Sequence, residues 1–250
     1  MSDTIDLHCH LLPGLDDGAR DLGDAVAMAR QAQADGIGAI CATPHIRVDH
    51  AVVIAELPAR RAQLSAALLE SGCTTRVLAG GEVAADMLGR LDDRDLKAVT
   101  LGGGGRWVLL EPPAGPLDDR FEAAVHTLHA RGFRALIAHP ERHPGADLIA
   151  RLARLVARGA LVQATAAYFA DPRTRSDMVA LAEAGVIHVL GSDAHSSRAG
   201  RRVELVAAFE SLRTVEPIGP HLGWVARVAP SAIVEGSDPV CPFSTERITT

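Results

Sequence analysis

Short apolar runs of about five residues recur along the chain, separated by Gly and Pro and by longer stretches whose apolar positions return every three to four residues. The runs fall at about 4–8, 37–42, 76–79, 107–110, 134–138, 160–164 and 187–191, and their near-continuous apolar character predicts parallel strands buried on both faces. The stretches between them predict helices. The first takes Asp21 as N-cap, puts Leu22, Ala25, Val26 and Ala29 on one face and stops at Gly36. Others are expected near 117–131, 146–158, 175–184 and 198–212, three of them closed by Gly132, Gly159 and Gly185. Strand followed by helix, repeated along the chain, is an α/β pattern that makes either a barrel or a doubly wound sheet. The run Gly102 to Gly105 leads into a strand and lacks both a following helix and a Lys-Ser/Thr pair, so it reads as a turn and not a phosphate loop. Pro, Ser and Thr accumulate beyond Leu212. The expected organisation is one domain over residues 1–236 with a loosely attached tail over 237–250.

Composition narrows the class. At 250 residues, 48% hydrophobic and 22% charged, the chain can bury a substantial core, which excludes disorder as its main state. No apolar run approaches the roughly 18 residues that span a bilayer, and the first residues are acidic where a signal peptide would be basic then apolar. A soluble, cytoplasmic protein with no membrane insertion is expected. The net charge of −6 and the lack of a clustered Lys/Arg face argue against nucleic acid as a partner. Cys9, Cys41, Cys73 and Cys241 are far apart, which suits reduced thiols better than disulfides or a cysteine zinc site.

The chemistry lies where the strands end. The runs finish in His8-Cys9-His10, Thr43-Pro44-His45, Gly80-Gly81-Glu82, Glu111-Pro112, His139-Pro140-Glu141-Arg142 and Ser192-Asp193-Ala194-His195. Only the run at 160–164 lacks such an ending. In parallel α/β folds the C-terminal strand ends converge on one face, so the pattern predicts one shared site. His8 and His10, two apart on an extended segment, point to the same side, and Asp16-Asp17 adds carboxylates on the following loop. Imidazoles and carboxylates without thiolates suit Zn, Mn or Fe, and their number exceeds what one catalytic ion needs. A cluster of two or three ions is expected. His50, His126, His129, His143, His188 and His221 are read as solvent-facing or supporting.

Asp6-Leu-His-Cys-His, Leu-Pro-Gly-Leu-Asp-Asp-Gly-Ala, Ala-Thr-Pro-His, Gly-Gly-Glu, Leu-Leu-Glu-Pro, Ala-His-Pro-Glu-Arg and Gly-Ser-Asp-Ala-His, in that order, resemble the polymerase and histidinol phosphatase (PHP) family. Within it the chain is most similar to the bacterial manganese-dependent protein tyrosine phosphatases of capsule and exopolysaccharide operons. The resemblance implies a distorted seven-stranded (β/α) barrel holding three ions, manganese first among the candidates. It implies that His8, His10, Glu82 and Asp193 hold one, that Glu82 bridges to a second held also by Glu111 and His139, and that Asp17, His45 and His195 hold the third. Arg142 matches the family's phosphate-gripping arginine. A second arginine is expected downstream, at Arg198 or Arg201. The family often has Asn after the Asp-Ala-His motif, whereas this chain has Ser196. The implied partner is a phosphotyrosine protein, a cytoplasmic autophosphorylating tyrosine kinase that controls polysaccharide export.

The physics suits phosphomonoesters. A phosphate dianion repels an anionic nucleophile, so its hydrolysis needs concentrated positive charge and a hydroxide available near neutral pH, both of which clustered metal ions supply. Rival readings keep the metals and change the substrate to histidinol phosphate, another small phosphomonoester or an amide, or keep the fold and drop catalysis. A thiol mechanism would use Cys-x5-Arg, which occurs at Cys41 to Arg47 and at Cys241 to Arg247. Pro44 removes a backbone N–H that the first such loop would need for phosphate, and the second sits in the tail.

Overall fold

The computed structural model describes residues 4–243. Nine strands lie among them: β1 Thr4–Cys9, β2 Ile37–Ala42, β3 His45–Ile46, β4 Arg76–Leu78, β5 Glu82–Ala84, β6 Trp107–Glu111, β7 Arg134–Ile137, β8 Leu161–Thr165 and β9 Val189–Gly191. The helices are α1 Leu22–Ala34, α2 Leu57–Glu70, α3 Asp93–Ala98, α4 Asp119–Ala130, α5 Leu148–Ala157, α6 Ala166–Ala170, α7 Arg175–Glu183, α8 Val206–Leu212 and α9 Ala229–Val234. Every strand pair is parallel, in a three-stranded sheet of order β1-β2-β4 and a six-stranded one of order β3-β5-β6-β7-β8-β9.

Each of the seven apolar runs becomes a strand, but the count of seven is corrected to nine. The second run is interrupted at Pro44, which has no N–H to give a ladder, and resumes as β3. The third is interrupted at Gly80-Gly81 and resumes as β5. The breaks let the two sheets part and curl. At the other side they rejoin, where the Asp193 N–H donates to the His8 carbonyl at 2.8 Å and the His10 N–H to the Ala194 carbonyl at 3.0 Å. The curl brings the strand ends of both sheets to one face.

The helices expected near 22, 117, 146 and 175 are present as α1, α4, α5 and α7, and the Asp21 carboxylate caps α1 by accepting from the Asp24 N–H at 2.8 Å. The one expected over 198–212 is corrected to Val206–Leu212, since residues 198–205 are occupied by a loop held by side chains of α1. Gly102–Gly105 forms the expected turn; Gly102, with φ 68°, packs so closely on Val234 that a Cβ would meet that residue at 2.4 Å. The expected loose tail is corrected over residues 237–243. The Trp107 indole donates to the Ser237 carbonyl at 2.8 Å, Arg106 pairs with Asp238, and Phe243 is buried edge-on to Trp224 at 5.4 Å between ring centres. Residues 244–250, with the rest of that tail, lie outside the described residues. No helix among the described residues is long and apolar enough to cross a membrane.

Candidate metal centre

All nine expected ligands meet at the C-terminal strand face. His8 is the penultimate residue of β1 and His10 follows that strand, Asp17 lies on the loop beyond, His45 opens β3, Glu82 opens β5 and Glu111 ends β6; His139 follows β7, and Asp193 and His195 follow β9. Register sets His45 opposite Glu82, while Glu111 pairs with Ala84, two residues further along β5. His139 and Asp193 turn out of their strands with φ of 27° and 49°. Side chains rarely adopt that left-handed region, at a cost of about 1–3 kcal/mol each, so the surrounding structure must impose it. Close packing also limits the loops around the site. A Cβ on Gly18 would lie 2.3 Å from the His10 carbonyl oxygen, and one on Gly191 would lie 2.8 Å from the His8 Cβ.

The donor atoms have the spacing of a coordination shell. The Nε2 atoms of His8 and His10 are 3.3 Å apart, and each lies 3.3 Å from Glu82 Oε2. Asp193 Oδ1 lies 3.4 Å from the first and 3.6 Å from the second. Donors about 2.1 Å from one ion in a tetrahedral or octahedral array are themselves roughly 3.0–3.4 Å apart. Glu82 Oε2, Asp193 Oδ1 and His45 Nδ1 are buried with no hydrogen-bond partner, a costly arrangement unless a cation sits among them. The donor set therefore fits a metal ion on chemistry as well as spacing.

Two further groupings share its members. Asp17 Oδ1 lies 3.5 Å from His45 Nε2 and from His195 Nε2, with the His10 and His195 rings stacked at 3.9 Å. On the other side of Glu82, Oε2 lies 3.0 Å from His45 Nδ1, and Glu111 Oε2 is 3.9 Å from the same nitrogen. His139 Nε2 reaches Glu82 Oε1 at 2.7 Å. His45 thus stands between the second and third groupings, and His10 between the first and third.

Charge is arranged to match. Burial alone would raise Glu82, but the four imidazoles around it hold its carboxyl well below the usual range. Burial takes His139 down to about 3, and burial with the neighbouring His10 does the same to His195. His10 runs the other way, to about 9, because hydrogen bonds with Asp16 and Glu82 outweigh its burial. The ionised Glu82 and the neutral His139 and His195 are the forms that bind metal, whereas His10 must give up its proton to do so.

The sequence reading missed the groups that hold the ligands. Gln163 of β8, the one strand without a terminal ligand, meets His8 Nδ1 with its Oε1 at 2.9 Å, which directs Nε2 to the cluster. The signal was a polar residue inside an otherwise apolar, fully buried strand. Asp16 takes His10 Nδ1 at 2.8 Å and the His45 N–H at 2.8 Å. Arg47 binds Glu111 at 3.2 and 3.3 Å, which accounts for it without any partnership with Cys41. Cys41 itself is fully buried and its thiol is pushed up to about 12 by that burial, so it is no thiolate nucleophile. Burial also raises Cys241, and Arg247 lies outside the described residues.

Arg142 and Arg201 converge on one oxygen, Asp193 Oδ2, the latter at 3.1 Å. Arg201 also donates to the Asp193 carbonyl at 2.8 Å. Arg198 is exposed, and its backbone N–H caps on Ser196, so it is not brought to the site. Ser196 and Ser197 instead bind the buried Asp24 of α1. Of the six histidines set aside, His50 stacks on His45 at 5.0 Å and His143 on His139 at 6.0 Å, both as supports. The other four lie away from the cluster: His126 against Arg158, His129 under the Ala135 N–H, and His188 and His221 beside Phe243.

Residues 4–215 match the family described as capsular polysaccharide synthesis, CpsB/CapC. The tyrosine-protein phosphatase YwqE of Bacillus subtilis is 34% identical over 200 residues, 77% of either chain. The chain belongs to the CpsB/CapC family. A solved structure from a study of YwqE of Bacillus subtilis and CpsB of Streptococcus pneumoniae, described there as metal-dependent tyrosine phosphatases, superposes with a TM-score of 0.81 at 28% identity, covering 95% of this chain and 99% of that one. Dihydropyrimidinase of Brevibacillus agri superposes with a TM-score of 0.58 at 10% identity, over 98% of this chain and 74% of its own, which is a likeness of fold alone.

Proposed function

We infer that this chain is a metal-dependent protein tyrosine phosphatase that acts on a cytoplasmic tyrosine kinase of polysaccharide synthesis. The observation that carries the reading is the four-donor shell of His8, His10, Glu82 and Asp193, at 3.3–3.6 Å spacings, beside two arginines that meet on Asp193. Family membership and the 34% identity to YwqE support the choice of phosphotyrosine. His8, His10, Glu82 and Asp193 would hold one ion; Glu82 and Glu111, with His139, a second; Asp17, His45 and His195 a third. Manganese is the ion proposed. Bound there, such ions supply a nucleophile at neutral pH and positive charge for the phosphoryl oxygens.

The protein's own groups do the rest. Arg142 and Arg201 present planar guanidiniums that can grip phosphoryl oxygens by paired hydrogen bonds, which lysine cannot reproduce. Gln163 and Asp16 keep His8 and His10 in the tautomers that turn Nε2 inward. Arg47 holds Glu111 in place from outside. The test is a comparison of kcat/KM for a phosphotyrosine peptide and for histidinol phosphate with manganese supplied. A higher value for the peptide is expected; a far higher value for histidinol phosphate would move the function to a metabolite phosphatase with the same metals.

A further inference from the structure

The cluster opens into a cavity of about 460 Å³ lined by Asp17, His45, Glu111, Arg142, His195 and Arg201 among others. Its wall also includes Tyr168, the chain's single tyrosine. Among the described residues the Tyr168 side chain has no hydrogen-bond, ion-pair or ring partner; only its backbone carbonyl is engaged, by Thr174. Behind Tyr168 lies a second cavity, of about 290 Å³, which phosphoryl transfer does not use. Leu148, Ile149, Met178 and Leu181 supply apolar wall there, and its charged groups are the carboxyls of Glu141 and Asp177 with no Lys, Arg or His. Glu141 lines this space while its neighbour Arg142 lines the central one, so a single residue step separates the phosphate grip from the outlying cavity.

We propose that the cavity behind Tyr168 is a subsite for an uncharged, apolar side chain close to the phosphotyrosine in an extended peptide substrate. The proposal rests on the reading of the chain as a tyrosine phosphatase and adds its sequence preference. With the phosphoryl group held at the cluster, an extended chain advances about 3.3–3.6 Å per residue, so flanking residues within about three positions reach the neighbouring cavity. An apolar side chain there leaves water for apolar wall. An acidic one would meet the exposed Asp177 carboxylate with no cation among the lining residues and is disfavoured by repulsion. Tyr168, which lines both spaces, is positioned to contact the peptide between them.

The experiment uses the manganese-loaded full chain and peptides with one phosphotyrosine among alanines, with Leu or Glu placed in turn at each of the three positions on either side. p-Nitrophenyl phosphate serves as the common reference. At one position, and not at all, exchange of Leu for Glu should lower kcat/KM at least tenfold, chiefly through KM. The A146W variant, altered at an exposed residue of the cavity rim, should bring the favoured Leu peptide down to the level of its Glu counterpart. Equal kcat/KM for Leu and Glu at every position in the wild type overturns the proposal, as does an A146W enzyme that keeps the full preference. Failure to hydrolyse p-nitrophenyl phosphate overturns the phosphatase reading and the proposal together, whereas a flat peptide series on an active enzyme overturns the proposal alone.

Discussion

Glu82 lies within 3.3 Å of four imidazole nitrogens, those of His8, His10, His45 and His139, and one of its oxygens has no other partner. A carboxylate so placed touches more than one grouping of donors. Glu82→Ala should therefore lower turnover by about three orders of magnitude and remove at least one equivalent of metal, read by steady-state kinetics and elemental analysis. Cys241→Ser should leave turnover within a few fold, since its thiol is raised by burial and bonds a backbone carbonyl. The two arginines that sequence left open are separated by geometry. Arg201→Ala should cost roughly 100-fold in kcat/KM for a phosphotyrosine peptide, and Arg198→Ala less than twofold. Eight of the nine donors were legible because they stand at strand ends, where fold and chemistry coincide, and Asp17 because it lies on the loop that follows the first of them. Gln163 and Arg47 were not, and Asp16 was legible only as a further loop carboxylate, because a residue that orients a ligand needs only to be polar and nearby, and no spacing rule marks that role.

The elements show a similar division. Buried parallel strands are apolar almost throughout, so all seven runs were visible, whereas the interruptions at Pro44 and Gly80-Gly81 depend on how the curled sheets meet. Helix α2 was not anticipated, since only Leu57, Leu64 and Leu68 are buried along its 14 residues. The helix expected from residue 198 fails for a specific reason. From α1, Asp24 binds Ser196 and Ser197 and Gln31 takes the Val203 N–H and donates to the Ser197 carbonyl, and Asp35, just past the end of that helix, accepts from Leu205 and Val206. These bonds claim backbone groups that a helix would use, and they fasten the loop that carries His195 and Arg201. Burial would raise Asp24, but the hydrogen bonds from Ser197, Arg20 and Ser196 bring it to about 2. That is below the roughly 3.9 of an unfolded aspartate, so its contribution is full above about pH 4 and fades as pH falls towards 2. Asp24→Asn should lower Tm by a few degrees at pH 6 in chelated protein, with the gap narrowing below pH 4. A gap that stays constant across that range would detach Asp24 from the loop's stability.

At the scale of the whole molecule, two sheets that part at one side and rejoin at β1 and β9 collect donors from strand ends spread over residues 8–195. A likeness of fold extends to a dihydropyrimidinase at 10% identity, so the architecture alone leaves the reaction undecided. We propose that the three overlapping groupings around Glu82, His45 and His10 hold two or three ions, an array whose positive charge suits a phosphate dianion. The central claim is that these ions carry the activity, and a titration tests it most directly. Chelated protein should show no hydrolysis of a phosphotyrosine peptide. Manganese added in steps should restore activity that saturates at two to three equivalents per chain. Full activity in the chelated protein, or saturation at well under one equivalent, would contradict the account.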